Sequence, residues 1–416
     1  MNYTETLNYI FSLKTVSLNP SLERITAALE LLDNPQNFLN VIHIAGTNGK
    51  GSVASMISEI LKAHNKKIGL FVSPFIVDFT ERIQINGSYI GKNDLCLLSE
   101  RVAQIQPELS DRGLALGQFE FITAVALLYF KEQKCDYVVL ETGLGGRYDA
   151  TNIFSCPACT VITKISYDHT AILGETLKQI AGEKAGIIKS RVPCITCQQD
   201  SEAFDVLNET CNSLEAPLTV INKDSIKDVK VGINGTTFSF KGAKYSTSLC
   251  GKHQTENAAL AIETVKTVVP DISAATINKG LSRVRHPARL EIFESKYPVI
   301  IDGAHNPDGA ASLAAFLREI NFKGNLVFGG MKDKNIREVA ELLSPFADKI
   351  ITVTVENNPR AESAEKLKSL ISLYNSNVYA AKNYDDAIAL TQYAPTVICG
   401  SLYLAADMRS YFDKTN

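Results

Sequence analysis

The sequence predicts an α/β protein: a P-loop domain built on a mostly parallel sheet, followed by a smaller Rossmann-like α/β domain. Three observations predict it. Unbroken apolar or β-branched runs alternate with helical patterns along the chain, as strands buried on both faces of a parallel sheet require. A glycine-rich segment, Gly46-Thr47-Asn48-Gly49-Lys50-Gly51-Ser52, joins the apolar run Val41 to Ala45 to an amphipathic stretch that reaches about His64. At 416 residues the chain exceeds what one hydrophobic core usually supports, so more than one domain is expected.

In chain order, helical patterns cover Thr4 to Leu13 and Ser21 to Leu32 before the glycine-rich segment. Strands then read as Ile68 to Val72, Tyr137 to Leu140, Thr160 to Ile165 and Val192 to Thr196. The stretch Val229 to Cys250 alternates instead, around Asn234-Gly235 and Lys241-Gly242, which predicts an antiparallel appendage with two hairpin turns. Helices follow over Glu256 to Val268 and Ser273 to Arg283. A second βα series begins at Val299 to Ile301 and continues through Leu326 to Phe328, Ile350 to Val353 and Val397 to Cys399. Pro287 in Arg285-His286-Pro287-Ala288 blocks helix continuation between the two series. The expected domains are therefore 1–286 and 287–416, with the hinge at this proline.

Composition narrows the function. Apolar residues make up 45% and charged residues 21%, ordinary values for a globular enzyme. A net charge of −3 supplies no basic face, so neither nucleic acid nor an anionic membrane is the expected partner, and small molecules are. Met1-Asn2-Tyr3-Thr4-Glu5 lacks a basic leader pattern, and no apolar run approaches the roughly 20 residues a bilayer needs. The expected location is the cytoplasm. Nine cysteines, an odd number lying in apolar segments, suit reduced buried thiols. The pairs Cys156/Cys159 and Cys194/Cys197 have the spacing of zinc ligands. A strand would hold Cys194 and Cys197 about 10 Å apart on opposite faces, so both pairs are read as small hydrophobes.

The glycine-rich turn offers several backbone N–H groups to one anion, and the following helix N-terminus adds a partial positive charge, so phosphate is its natural guest. Lys50 is placed to reach the β- and γ-phosphates and Ser52 to reach Mg²⁺. Compared with the common P-loop pattern, two residues rather than four separate the first glycine from the Gly-Lys pair, and Gly51 is inserted before the serine. Polar clusters stand at the carboxyl ends of the predicted strands, where open α/β sheets bind ligands: Ser73-Pro74, Glu141-Thr142-Gly143-Leu144-Gly145-Gly146-Arg147 and Asp168-His169-Thr170. A hydroxyl, a carboxylate and an imidazole beside a P-loop would form a divalent-metal site next to ATP. Taken singly, Glu141 could instead pair with Arg147, and His169 could be a hydrogen-bonded loop residue.

These residues carry a resemblance. Gly46 to Ser52, Ser73-Pro74-Phe75, Thr80-Glu81-Arg82-Ile83, Phe119-Glu120-Phe121, Glu141 to Asn152, Asp168-His169-Thr170 and Glu183 to Ile188 occur in order, followed by His253-Gln254, Asn257-Ala258, Arg289, Asp302 to Pro307 and Gly400 to Leu404. With this ordered set the chain resembles the bacterial folylpolyglutamate synthase/dihydrofolate synthase family of the Mur ligase superfamily. The resemblance implies an ATP-dependent ligase that adds L-glutamate to a folate, to dihydropteroate or to both, through an acyl phosphate, acting as a monomer. It implies nucleotide contacts from Thr47, Asn48, Gly49, Lys50, Gly51, Ser52, Asn257, Arg289 and Asp302. Mg²⁺ is assigned to Ser52, Ser73, Glu141 and His169, and catalytic roles to Lys50, His169, Lys184 and His305. Lys184 matches a lysine carbamylated by CO₂; the residues alone would make it a solvated helix charge. Substrate contacts fall to Arg82, Phe119, Glu120, Asp149 and Ala150. Two positions depart from the family pattern: Gly117 stands where Thr or Ser is usual, and Tyr148 where leucine is. A ligase for another carboxylate and a non-catalytic ATP-binding regulator are the alternatives.

Overall fold

The computed structural model describes residues 1–14, 21–293, 297–392 and 394–413. It divides into two compact units, Met1–Ser225 with Glu256–Arg283, and Ile226–Thr255 with Val284–Asn416. The chain therefore passes between units three times, whereas the expected domains, 1–286 and 287–416, required a single passage. The difference lies in the hairpin segment, whose Val231 and Cys250 pack into the same apolar core as Leu313, Phe316 and Leu317. Sequence proximity had grouped that segment with the first domain; burial groups it with the second.

The first unit holds an eight-stranded sheet made of β1 (Val41–Ala45), β2 (Ile68–Phe71), β3 (Ile83–Ile85), β4 (Ser88–Tyr89), β5 (Tyr137–Glu141), β6 (Cys159–Ile162), β7 (Cys194–Cys197) and β8 (Leu218–Ile221). Its order is β4-β3-β2-β5-β1-β6-β7-β8. From β2 to β8 every neighbouring pair is parallel; β3 and β4 add an antiparallel edge. Every residue of β1, β2, β6 and β7 is buried, which is what unbroken apolar runs demand when helices cover both faces. Register fixes the site. Phe71 lies opposite Leu140, Ile44 opposite Glu141, and Ala45 opposite Ile162, so the carboxyl ends of β2, β5, β1 and β6 stand side by side.

Relative to expectation β2 ends one residue early, at Phe71, and two further strands of this sheet are shorter or shifted. The run expected over Thr160 to Ile165 leaves the sheet after Ile162, and that expected over Val192 to Thr196 pairs over Cys194–Cys197. β6 stops where its following carbonyls turn to other partners, Lys164 O accepting the Thr47 N–H at 2.9 Å. The edge strands β4 and β8, and β3 beside β4, carry exposed or half-buried residues, and they lie outside the strands expected from the sequence. Beneath the sheet the helix Gln118–Glu132 buries every residue from Phe121 to Phe130. Gly69 is what lets it approach: a Cβ there would stand 2.6 Å from the Phe130 ring.

In the second unit β9 (Ile226–Gly232), β10 (Gly235–Phe240) and β11 (Ala243–Thr247) form the expected antiparallel sheet. Lys241 and Gly242 both have positive φ, 47° and 79°, as a two-residue hairpin turn needs. The larger sheet contains β12 (Glu291–Phe293), β13 (Val299–Ile301), β14 (Gly324–Phe328), β15 (Ala347–Thr352), β16 (Val378–Ala380) and β17 (Thr396–Cys399), ordered β12-β13-β17-β14-β15-β16. Only β12 runs antiparallel to its neighbour.

The helix Ala274–Leu281 returns to the first unit and packs on the helix Lys50–Ala63 through Gly280. A Cβ at Gly280 would lie 2.4 Å from Ile60 Cα and 2.8 Å from the Glu59 carbonyl, backbone atoms that cannot rotate away. Gly280→Ala should therefore cost about 1–3 kcal/mol through overpacking. Gly182→Ala, with nothing within 4 Å of the added carbon and a helical backbone, should be neutral or stabilise by up to about 1 kcal/mol. Paired thermal melts check this: a lower midpoint for the first and an equal or higher one for the second.

Candidate active site

The loop after β1 is made by crowding. Gly46 has φ +152°, and a Cβ there would overlap the Thr163 side chain, 1.8 Å from Oγ1. Gly49, φ +88°, caps the helix Lys50–Ala63, and its Cβ would stand 2.5 Å from Asn257 Oδ1. Only glycine fits either place. Thr47 is tied to the segment after β6: its Oγ1 donates to Ser166 O at 3.0 Å and accepts from Ser166 N at 3.1 Å. Asn48 Nδ2 donates to Ser166 Oγ at 3.3 Å. Lys50 folds back over the loop, its Nζ donating to Thr47 O at 3.3 Å, and Ser52 is buried in the first helical turn. A first turn of N–H groups at the start of a 14-residue helix is an anion cradle.

Lys184 sits beneath this cradle. It is 3% exposed, and its Nζ donates to the Gly46 carbonyl at 2.9 Å. Burial, and then the nearby Lys50 cation, bring its pKa down to about 7, against partial opposition from Asp168, Asp149 and Glu183. The helix that carries it, Leu177–Ala185, is docked by the loop after β5. Gly146 approaches so closely that a Cβ would meet Glu183 O at 2.7 Å, and Arg147 N donates to Glu183 O at 2.7 Å. Arg147 pairs with Glu183 at 3.7 Å. Asn152 Nδ2 closes the junction on Arg147 O and Gly186 O at 2.9 and 3.0 Å. Within this loop the buried Asp149 carboxylate accepts from Leu144 N at 2.8 Å and from Thr151 Oγ1 at 2.6 Å, and Ala150 is buried beside it.

On the other side of β1, the Ser73 N–H donates to Glu141 Oε2 at 3.1 Å, joining the ends of β2 and β5. Arg82 NH1 donates to Ser73 Oγ at 3.2 Å while its guanidinium lies over Phe75 and Phe79, 5.1 and 5.6 Å from the ring centres. The turn is shaped by Glu81, whose carboxylate accepts the N–H groups of Ile76, Val77 and Asp78; its role was not apparent from spacing. His169 begins a short helix with φ 50°, its side chain 44% exposed, 4.0 Å from Asp168 Oδ1. Among the described residues no three His, Cys, Asp or Glu side chains gather as a metal cluster. The expected metal set holds only two residues of those types and two serines, mostly hard oxygen donors that suit Mg²⁺.

Other expected residues have internal partners. Glu120 is held by Arg24, Nε–Oε1 2.9 Å, and caps its own helix by accepting from Gly117 N at 2.7 Å. Phe119 packs against Gly143, whose Cβ would stand 2.6 Å from the ring. Gly117 itself is crowded: a Cβ would lie 2.8 Å from Lys14 O, which disfavours the family's usual Thr or Ser. Tyr148 is exposed. In the second unit Asp302, at the end of β13, accepts from Leu290 N and Ala304 N, each at 2.8 Å. Burial raises its pKa, and Arg289 opposes the rise. His305 Nδ1 donates to Gly303 O at 2.9 Å.

A P-loop after the central strand of a parallel sheet, together with a second α/β unit, is the architecture of Mur-type ligases. Residues 44–265 match the Mur ligase middle domain, and residues 288–401 match the Mur ligase glutamate ligase domain. The chain is 35% identical to the dihydrofolate synthase/folylpolyglutamate synthase of Bacillus subtilis over 98% of each chain. It is 32% identical to the folylpolyglutamate synthase of Lacticaseibacillus casei, again over 98% of each. The structure of Mycobacterium tuberculosis folylpolyglutamate synthase complexed with ADP superposes with a TM-score of 0.90 at 30% identity, covering 99% of this chain and 98% of that one. The chain belongs to the folylpolyglutamate synthase/dihydrofolate synthase family. Among the described residues no helix is long and apolar enough to cross a membrane.

Lys184 makes one pH effect calculable in sign. Its pKa is about 7 folded against 10.5 for an ordinary lysine, so between those values the unfolded chain binds a proton that the folded chain does not. Stability should rise with pH across that window, by up to about 1.4 kcal/mol per unit, and be independent of this group below it. Subtracting the pH profile of Lys184→Met from that of the parent, in thermal or urea unfolding, isolates the effect. A flat difference would show that the amine is not desolvated.

Proposed function

We propose that this chain joins a pteroyl or folyl carboxylate to the amine of L-glutamate at the expense of ATP. The observation that carries this reading is the shared edge of β2, β5, β1 and β6, where a phosphate cradle, a buried carboxylate and a buried lysine meet, in a chain similar over its full length to enzymes of that name. ATP is the nucleotide; Mg²⁺, a carbamate on Lys184, a monomeric state and a cytoplasmic location complete the reading.

Thr47 to Ser52 would take the phosphates, with Lys50 over them and Asn257 beside Gly49. Arg289 and Asp302 would contact the nucleotide, and His305 would lie near the phosphates. Ser52, Ser73, Glu141 and His169 would hold Mg²⁺, which when bound offsets charge developing on the phosphoryl oxygens. The fit is chemical: Glu141 is already oriented by Ser73, and both serine hydroxyls and the carboxylate are hard donors.

The carboxylate of the acceptor attacks the γ-phosphorus, ADP leaves, and the glutamate amine displaces phosphate from the resulting acyl phosphate. Lys50 and the loop N–H groups stabilise the charge of the transferred phosphoryl group, a task of positioning and electrostatics. Arg82, Phe119, Glu120, Asp149 and Ala150 would line the acceptor's path, Glu120 through its hold on the turn at Gly117. At Lys184 the neutral amine favoured by burial adds CO₂ and loses a proton, giving an anionic carbamate. The resulting anion would pair with the Lys50 cation, which opposes an ammonium at Lys184, and this supports the modification.

Incorporation of labelled glutamate with ATP and Mg²⁺, run side by side on dihydropteroate and tetrahydrofolate, tests the reading. ADP release matched by amide formation with at least one acceptor is expected; ATP binding with no turnover on either would favour a regulator. Lys50→Ala should lower turnover by on the order of 10² or more. Lys184→Ala should lose most activity and regain part of it with a short carboxylic acid in solution, whereas near-normal kinetics would defeat the carbamate.

A further inference from the structure

His43 occupies the middle of β1, the strand that feeds the phosphate loop, and is 0% exposed. A fully buried imidazole in the middle of a parallel sheet, in register with Leu140 on one side and Thr160 on the other, calls for a reason. Its Nε2 lies 2.8 Å from Thr151 Oγ1, and that hydroxyl lies 2.6 Å from Asp149 Oδ1. A hydroxyl has one hydrogen, and an ionised carboxylate can only accept. The Thr151 hydrogen therefore goes to Asp149, and His43 must donate through Nε2–H. Its Nδ1 is then the acceptor nitrogen, and among the described residues that buried atom has no hydrogen-bond partner. Burial keeps the ring neutral, with its pKa brought down to about 3, so the direction of the relay does not reverse at working pH.

The relay ends on the loop that faces Lys184. Asp149 Oδ1 also accepts the Thr151 N–H at 3.1 Å, while Oδ2 holds Leu144 N at 2.8 Å. One carboxylate thus ties the two ends of the turn 144–151, whose Gly146 is pressed against the backbone of Glu183 and Lys184. We propose that His43 is a positioning residue which, through Thr151 Oγ1, aims the Asp149 carboxylate and sets the turn 144–151 against the Lys184 helix. The functional half of this inference rests on the reading of Asp149 as a substrate contact. Neither His43 nor Thr151 touches substrate in it; each acts through Asp149, as outer partners act through the groups they orient.

The test has a spectroscopic and a kinetic arm. In the intact protein labelled with nitrogen-15 histidine, the His43 ring at pH 7 should read as the neutral Nε2–H tautomer; an Nδ1–H tautomer or an imidazolium would overturn the relay. In kinetics, Thr151→Val should raise KM for the pteroyl or folyl acceptor about tenfold, the size of one lost hydrogen bond to a charged group, with KM for ATP changed less than about twofold. His43→Leu should move the same constant by about threefold or more, and His43→Gln, whose amide nitrogen falls near Nε2, should recover most of it. Unchanged acceptor KM in both Thr151→Val and His43→Leu, alongside an impaired Asp149→Asn, would refute the relay while leaving Asp149 in its role. Wild-type acceptor KM in Asp149→Asn would instead remove the substrate role from Asp149 and with it the kinetic half of the inference. If His43→Leu does not fold, Thr151→Val and the tautomer decide.

Discussion

The site depends on the absence of space around Gly46. Its φ of +152° and the Thr163 side chain lying where its Cβ would be leave room only for glycine at the start of the glycine-rich loop, and the Gly46 carbonyl accepts from the buried Lys184 amine. The segments on either side are keyed to the same loop and to the helix of Lys184. The segment after β6 leaves the sheet at Ile162 to hold Thr47 and Asn48. The loop after β5 is keyed to the helix of Lys184 by glycines that admit backbone against backbone. A cradle held from three directions is preorganised, which is where catalysis by positioning and electrostatics draws its advantage.

Charge explains why a lysine is placed there. An amine desolvated and set near another cation is poorly accommodated as an ammonium, and its pKa falls accordingly. The arrangement raises the energy of one protonation state so that another form of the group, neutral or modified, becomes accessible near neutral pH. Asp149 shows the opposite management. Burial raises its pKa, and hydrogen bonds from Thr151 and from the backbone of Leu144 and Gly143 restrain it.

Much of this was legible in the sequence because it is local. An unbroken apolar run followed by Gly46 to Ser52 can be only a few things, and Ser73 and Glu141, at the ends of later runs, inherit the edge that the sheet gives them. The partners that decide the chemistry were not legible, because they are distant. Lys184 reaches Gly46 across 138 residues, and the amphipathic spacing around it reads as a solvated face. Arg24 holds Glu120 from 96 residues away, and Glu81 gathers three N–H groups in a turn no periodicity marks. The stretch Val229 to Cys250 was legible as hairpin strands, which run over Ile226–Thr247, but strand pattern says nothing of which core Val231 and Cys250 join.

The central claim is that the cradle presents ATP so that its γ-phosphoryl group passes to a carboxylate. Following the oxygen atoms tests this most directly. With acceptor substrate labelled with oxygen-18 in its carboxylate, attack on phosphorus carries one labelled oxygen into the phosphate released for each amide formed. Mass spectrometry of that phosphate should find the label in proportion to product. Amide formed with ADP released and the phosphate free of label would contradict the claim, since the oxygen lost would then have gone elsewhere.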